Sequence, residues 1–118
     1  MKSLLPLLCA LMLAFPVAAG EGTAKGVAEI AELGRLNGQA LACAESQAAA
    51  RIKALMIDHA PKVRNVGSAF EEETNQAFLA QSKDPSGCQS GAVLILQAEE
   101  VAKRLQAAFP VQTPAVSK

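Results

Sequence analysis

The residues of this chain whose types could do chemistry are a lone histidine, a widely spaced pair of cysteines and a run of three glutamates. His59 is the only histidine among 118 residues. Met56 stands one helical turn before it and Asp58 adjoins it, so thioether and imidazole can share a face, a donor pair that suits copper. One imidazole and one thioether are too few ligands, and the rest would have to come from Glu71 to Glu73 or from a second subunit. The alternative is a helix-end histidine beside a core methionine, since a histidine is favourable near a helix C-terminus. No cofactor is expected, with copper at Met56 and His59 as the minority reading.

Glu71, Glu72 and Glu73 could be paired carboxylates, but consecutive residues of a helix point in different directions. They read as a solvated face. A Ser or Cys hydrolase needs a nucleophile beside a base. None of Ser46, Ser68, Ser82, Ser86 or Ser90 sits in a Gly-x-Ser-x-Gly elbow. No catalytic residue is assigned, and the chain is not expected to be an enzyme.

The cysteines depend on the compartment. Lys2 gives a positive start, Leu4 to Val17 is an apolar run broken by Pro6 and Pro16, and Val17-Ala18-Ala19 supplies small residues for cleavage after Ala19. Those are the three parts of a secretory signal peptide. The run is shorter than the roughly 20 apolar residues of a membrane span, so no stable span is expected after cleavage. The style is bacterial, and the expected location is periplasmic or secreted. In that oxidising space Cys43 and Cys88 are expected to form one intramolecular disulfide. Their separation suits neither a redox Cys-x-x-Cys nor a zinc site, and neither is followed by the histidine that covalent haem attachment needs.

The expected division is a signal peptide over 1–19, one helical domain over 20–110 and a flexible tail over 111–118. Losing Lys2 with the leader takes the cations from 11 to 10 against 11 acids, a net charge of minus one. With no basic excess and no Trp or Tyr to stack on bases, nucleic acid is not an expected partner.

Four helices should position these residues, giving a small all-α bundle of three to four helices. The first, capped at Thr23 and running to about Glu45, carries Val27, Ile30, Gly34, Asn37, Leu41 and Ala44 on one stripe, widened by Leu33, Leu36 and Ala40. Gly34 and Gly38 each cost roughly 1 kcal/mol against Ala in a helix interior. With Ala42 they make a groove for a close neighbour. Asn37 falls on the apolar stripe, where a buried amide needs a partner. It is expected to bond to the backbone of a facing helix or to floor a small pocket, and Arg35, Asn37 and Gln39 are the candidate binding residues.

A second helix, capped by Ser46, should run to about Asp58, with Ala48, Ile52, Leu55, Met56 and His59 on one face. One long kinked helix from Thr23 to Asp58 is the alternative. The third should run from Pro61 to Gln81 with Val63, Val66, Phe70, Thr74, Ala77 and Phe78 inward. The last should run from Cys88 to Phe109 with Cys88, Ala92, Ile95, Ala102, Leu105 and Phe109 inward. Glu99 with Lys103 and Glu100 with Arg104 would then be four-residue ion pairs on its outer face.

Two functions follow as expectations. The first is a non-catalytic binding or interaction protein of the cell envelope, pairing with itself as a homodimer or with another exported protein. The second is a metal or small-ligand binder using Met56 and His59.

Overall fold

The structure, a computed structural model, describes residues 21–110, with side chains from residue 26 onward. The expected leader over 1–19 and tail over 111–118 lie outside the described residues. Four helices follow in order: α1 (Glu21–Ala42), α2 (Ser46–His59), α3 (Arg64–Ser82) and α4 (Gly91–Ala108), with a single 3-10 turn at Pro85–Gly87. The chain is a small all-α four-helix bundle closed by the Cys43–Cys88 disulfide.

The bundle is asymmetric. α2 and α4 pack on α1 and on each other, whereas α3 packs on α1 with no comparable contact to α2 or α4. The core is accordingly built by three helices: Ile30, Leu33, Leu36 and Ala40 of α1, Ala48, Ile52 and Leu55 of α2, and Leu94, Ala98, Val101, Ala102 and Leu105 of α4. From α3 only Val66 is buried. Gly34 lies against Phe70, and Gly38 against Thr74 and Phe78, so α1 and α3 run parallel. Arg104 meets Glu29 and Glu32, so α4 runs antiparallel to α1.

α1 therefore has two buried faces where the periodicity suggested one stripe. Leu33, Leu36 and Ala40 face the three-helix core, and Gly34 and Gly38 face α3. Leu41 is 48 % exposed and Ala44 lies beyond the helix. Thr23 sits inside α1 rather than at its cap.

α1 and α2 are separate helices, not one kinked rod. The Glu45 N–H donates to the Ala40 carbonyl at 2.8 Å and the Ala44 N–H to the Leu41 carbonyl at 3.2 Å. Ala44 has φ 58°. These bonds close the end of α1 in the left-handed capping pattern, which turns the chain back on itself. Ser46 is the first residue of α2 and Glu45 stands at its cap with no side-chain bond.

α3 starts at Arg64, not Pro61, after an extended Val63. The Lys62 ammonium donates to the Ile57 and Ala60 carbonyls, so the segment before α3 is spent closing the end of α2. α4 starts at Gly91, three residues later than expected, because the Ser90 hydroxyl accepts from the Val93 N–H at 3.2 Å. Cys88 is outside the helix. Of the other positions expected inward, Ala102 and Leu105 are buried and Ile95 and Phe109 pack against the core, whereas Ala92 is exposed; the core face also takes in Leu94, Ala98 and Val101. Among the described residues no helix is long and apolar enough to cross a membrane.

Candidate functional site

The closest helix contact in the fold is the α1–α3 seam, and the glycines create it. A Cβ on Gly34 would stand 2.6 Å from the Phe70 carbonyl oxygen and 2.9 Å from the Glu73 Cβ. On Gly38 it would meet the Thr74 carbonyl oxygen, with the Phe78 nitrogen at 2.7 Å. Backbone therefore lies on backbone, and no larger residue fits at either position.

Asn37 sits at one edge of this seam. Its side-chain N–H donates to the Thr74 hydroxyl at 3.2 Å. That hydroxyl faces the Phe70 carbonyl at 2.8 Å and the Gly34 carbonyl at 3.2 Å, and shares its one proton between them. Asn37 thus bonds not the expected backbone of the facing helix but a side chain, Thr74, itself fastened to both helices. An open cleft of about 310 Å³ lies beside the pair, lined by Asn37, Phe70, Glu71, Thr74 and Asn75.

Arg35 and Gln39 lie on the other edge of the seam. They line a separate cleft of about 250 Å³ with Ala77, Gln81 and Asp84. Arg35 is paired with Glu32 at 3.6 Å. The three candidate binding residues are therefore divided between two clefts by the glycine contact.

α3 is left open on its remaining sides. Phe78 and Leu79 are 39 % and 60 % exposed, and Val63, just before the helix, 52 %. The expected inward positions Val63 and Phe78 are thus largely solvated. Among the described residues, Arg64, Glu71, Glu72 and Glu73 take part in no ion pair. The ion pairs lie on α1, α2 and α4. Glu99 bonds Arg51 of α2 rather than Lys103, Lys103 reaches Glu100, and Arg104 reaches Glu29 and Glu32 of α1 rather than Glu100. The hydrogen bond from the Arg51 guanidinium holds the Glu99 carboxyl below the usual glutamate range and raises Arg51 in turn.

The disulfide joins the end of α1 to the segment before α4 across 45 residues of sequence. Cys88 is exposed and Cys43 half-buried.

Met56 and His59 are at the opposite end of the bundle. Met56 is half-buried and packs on the core cluster. The His59 Nε2 lies 3.3 Å from the side-chain nitrogen of Gln106 on α4. Its Nδ1 is buried with no partner in the protein. Among the described residues no three of His, Cys, Asp and Glu are grouped to hold a metal. Phe109, expected inward on the last helix, lines the cleft beside His59. Gln106, which faces His59 from α4, escaped the sequence reading.

No family model matches this chain, and no curated protein or solved structure matches it at a significant level.

Proposed function

We propose that this chain is a small, exported, non-catalytic helical binding protein of the bacterial envelope, and that α3 is its recognition element. One observation carries the reading. α3 docks extensively on a single helix, α1, yet presents three carboxylates with no ion-pair partner among the described residues and an exposed Phe78–Leu79 pair. The apolar residues on the sides of α3 turned away from α1 gain little from the protein's own core. Exposed apolar side chains flanked by charge are the usual surface of a protein contact. The leader-like N-terminus and the disulfide support export.

A photo-crosslinking residue at Leu79, with a control at Lys103 on the ion-paired side of α4, tests this in envelope extracts of producing cells. The expected outcome is one discrete adduct from Leu79 and none from Lys103, its mass telling a second copy from another exported protein. Equal adducts from both positions, or none from Leu79, would overturn it. Copper at Met56 and His59 has less support, since Met56 is turned to the core and His59 faces Gln106.

A further inference from the structure

The end of the bundle opposite the disulfide carries a second, independent site. α2 and α4 run in the same direction, since Arg51 pairs with Glu99 near the middle of both and His59 faces Gln106 near their ends. Their C-termini therefore open side by side. Between them lies a cleft of about 410 Å³, lined by Asp58, His59, Pro61, Lys62, Phe109 and Pro110 among others. That volume is within the range of small-molecule sites.

The electrostatics of the cleft have a sign. Each helix C-terminus presents unpaired carbonyls and about half a negative charge. Lys62 compensates the α2 end by donating to the Ile57 and Ala60 carbonyls. The last turn of α4 carries no basic residue. Asp58 adds a carboxylate that is exposed and has no ion-pair partner among the described residues. Arg51, on the same helix, is held by Glu99. The walls are apolar: Pro61, Pro110 and the ring of Phe109, which lies over Gly26 of α1 at a position where any Cβ would strike it. An aromatic ring beside a carboxylate and an uncompensated helix C-terminus attracts a cation by its quadrupole as well as by charge.

We propose that this cleft binds a small organic cation, an ammonium group carried on an apolar body, with Asp58 as its counter-ion and Phe109, Pro61 and Pro110 as its apolar wall. The site shares no residue with α3, so its failure and that of the α3 reading are separable.

The experiment is a titration of the purified, oxidised protein followed by two-dimensional NMR. Benzylamine is the probe, and benzyl alcohol and benzoate are its neutral and anionic counterparts. Benzylamine is expected to give saturable shifts confined to residues 58–62 and 106–109, with much weaker responses to the other two. Asp58→Asn, at an exposed position that the fold does not depend on, is expected to weaken benzylamine roughly tenfold, the loss of about 1.4 kcal/mol of charge attraction. Phe109→Leu should weaken it as well. Absence of saturable shifts, shifts spread over the whole molecule, an equal response to benzoate, or unchanged affinity in Asp58→Asn would each overturn the assignment.

Discussion

The Asn37 side chain donates a hydrogen bond to the Thr74 hydroxyl at 3.2 Å, and through it binds α1 to α3, the helix that gives the core a single buried side chain. Four residues along α1 from Gly34, Gly38 brings the two backbones together at the same level as Thr74. The polar bond and the glycine contact act on the same seam. Asn37→Ala should cost about 0.5–1.5 kcal/mol, the net value of one hydrogen bond, and Thr74→Val more, since it also removes the bond the hydroxyl donates to the Phe70 and Gly34 carbonyls. The double mutant should cost less than the sum of the two, because the bond is lost only once. Urea unfolding of the four proteins measures this, and strict additivity would show that the pair does not interact.

Gly38→Ala should destabilise the protein although alanine is the better helix former. The gain of roughly 1 kcal/mol in propensity is set against a Cβ lodged on the α3 backbone, where overpacking costs typically about 1–3 kcal/mol. Gly67 in α3 is the control. A Cβ there meets nothing within 4 Å, so Gly67→Ala should stabilise by about 0.5–1 kcal/mol. Opposite signs for the two substitutions in thermal melts are the expected result.

Ala44→Gly should raise stability. Ala44 holds φ 58° at the end of α1, a left-handed conformation that costs a residue with a Cβ about 1–2 kcal/mol. Glycine escapes that cost but loses more freedom on folding, so a net gain of about 0.5–1 kcal/mol is expected. A lower midpoint of denaturation would contradict it.

Removing the disulfide should be the most damaging change of all. The bond closes a loop of 45 residues, worth about 4 kcal/mol on the chain-entropy view. The double variant Cys43→Ser, Cys88→Ser should melt far below the oxidised protein. Thiol labelling of oxidised, denatured protein should find neither residue free.

The pair between Arg51 and Glu99 should give a pH signature. The Arg51 hydrogen bond lowers the Glu99 carboxyl in the folded protein. Its contribution is therefore present above the ordinary glutamate value of about 4.3 and fades as pH falls through the folded value. The stability difference between the native protein and Glu99→Gln should be small, since both side chains are partly exposed and screened. It should shrink in acid and at high salt. A difference that grows as pH falls would contradict the assignment.

Much of the architecture was legible before any coordinates. Helical periodicity, the turn formers around Pro85 and the paired glycines are local signals. They specified a bundle of three to four helices, one close crossing on the first of them and, with the leader-like N-terminus, the Cys43–Cys88 bond. The residues at Gly34 and Gly38 betrayed the close contact because their cost within a helix has no local return. Asn37 betrayed a polar partner for the same kind of reason: an amide on an apolar stripe needs one.

What only the tertiary structure decided was which helix took which face. Period alone merged the two buried faces of α1 into one stripe, because the core residues and the glycines lie on adjoining arcs of one helix. It placed Phe78 and Val63 inward, because a pattern of apolar residues does not say whether a second helix stands opposite them. It started α4 at Cys88 rather than at the Ser90 cap, and left Leu94, Ala98 and Val101 out of the inward set. It separated neither Arg35 and Gln39 from Asn37 nor Glu99 from Lys103, since side chains choose partners across space. The sequence by itself determined the helices, the glycine crossing and the pairing of the cysteines, all set by local energetics and composition. The open side of α3, the cleft at the ends of α2 and α4 and the partners of the charged residues were decided by packing, which assigns neighbours that no local pattern records.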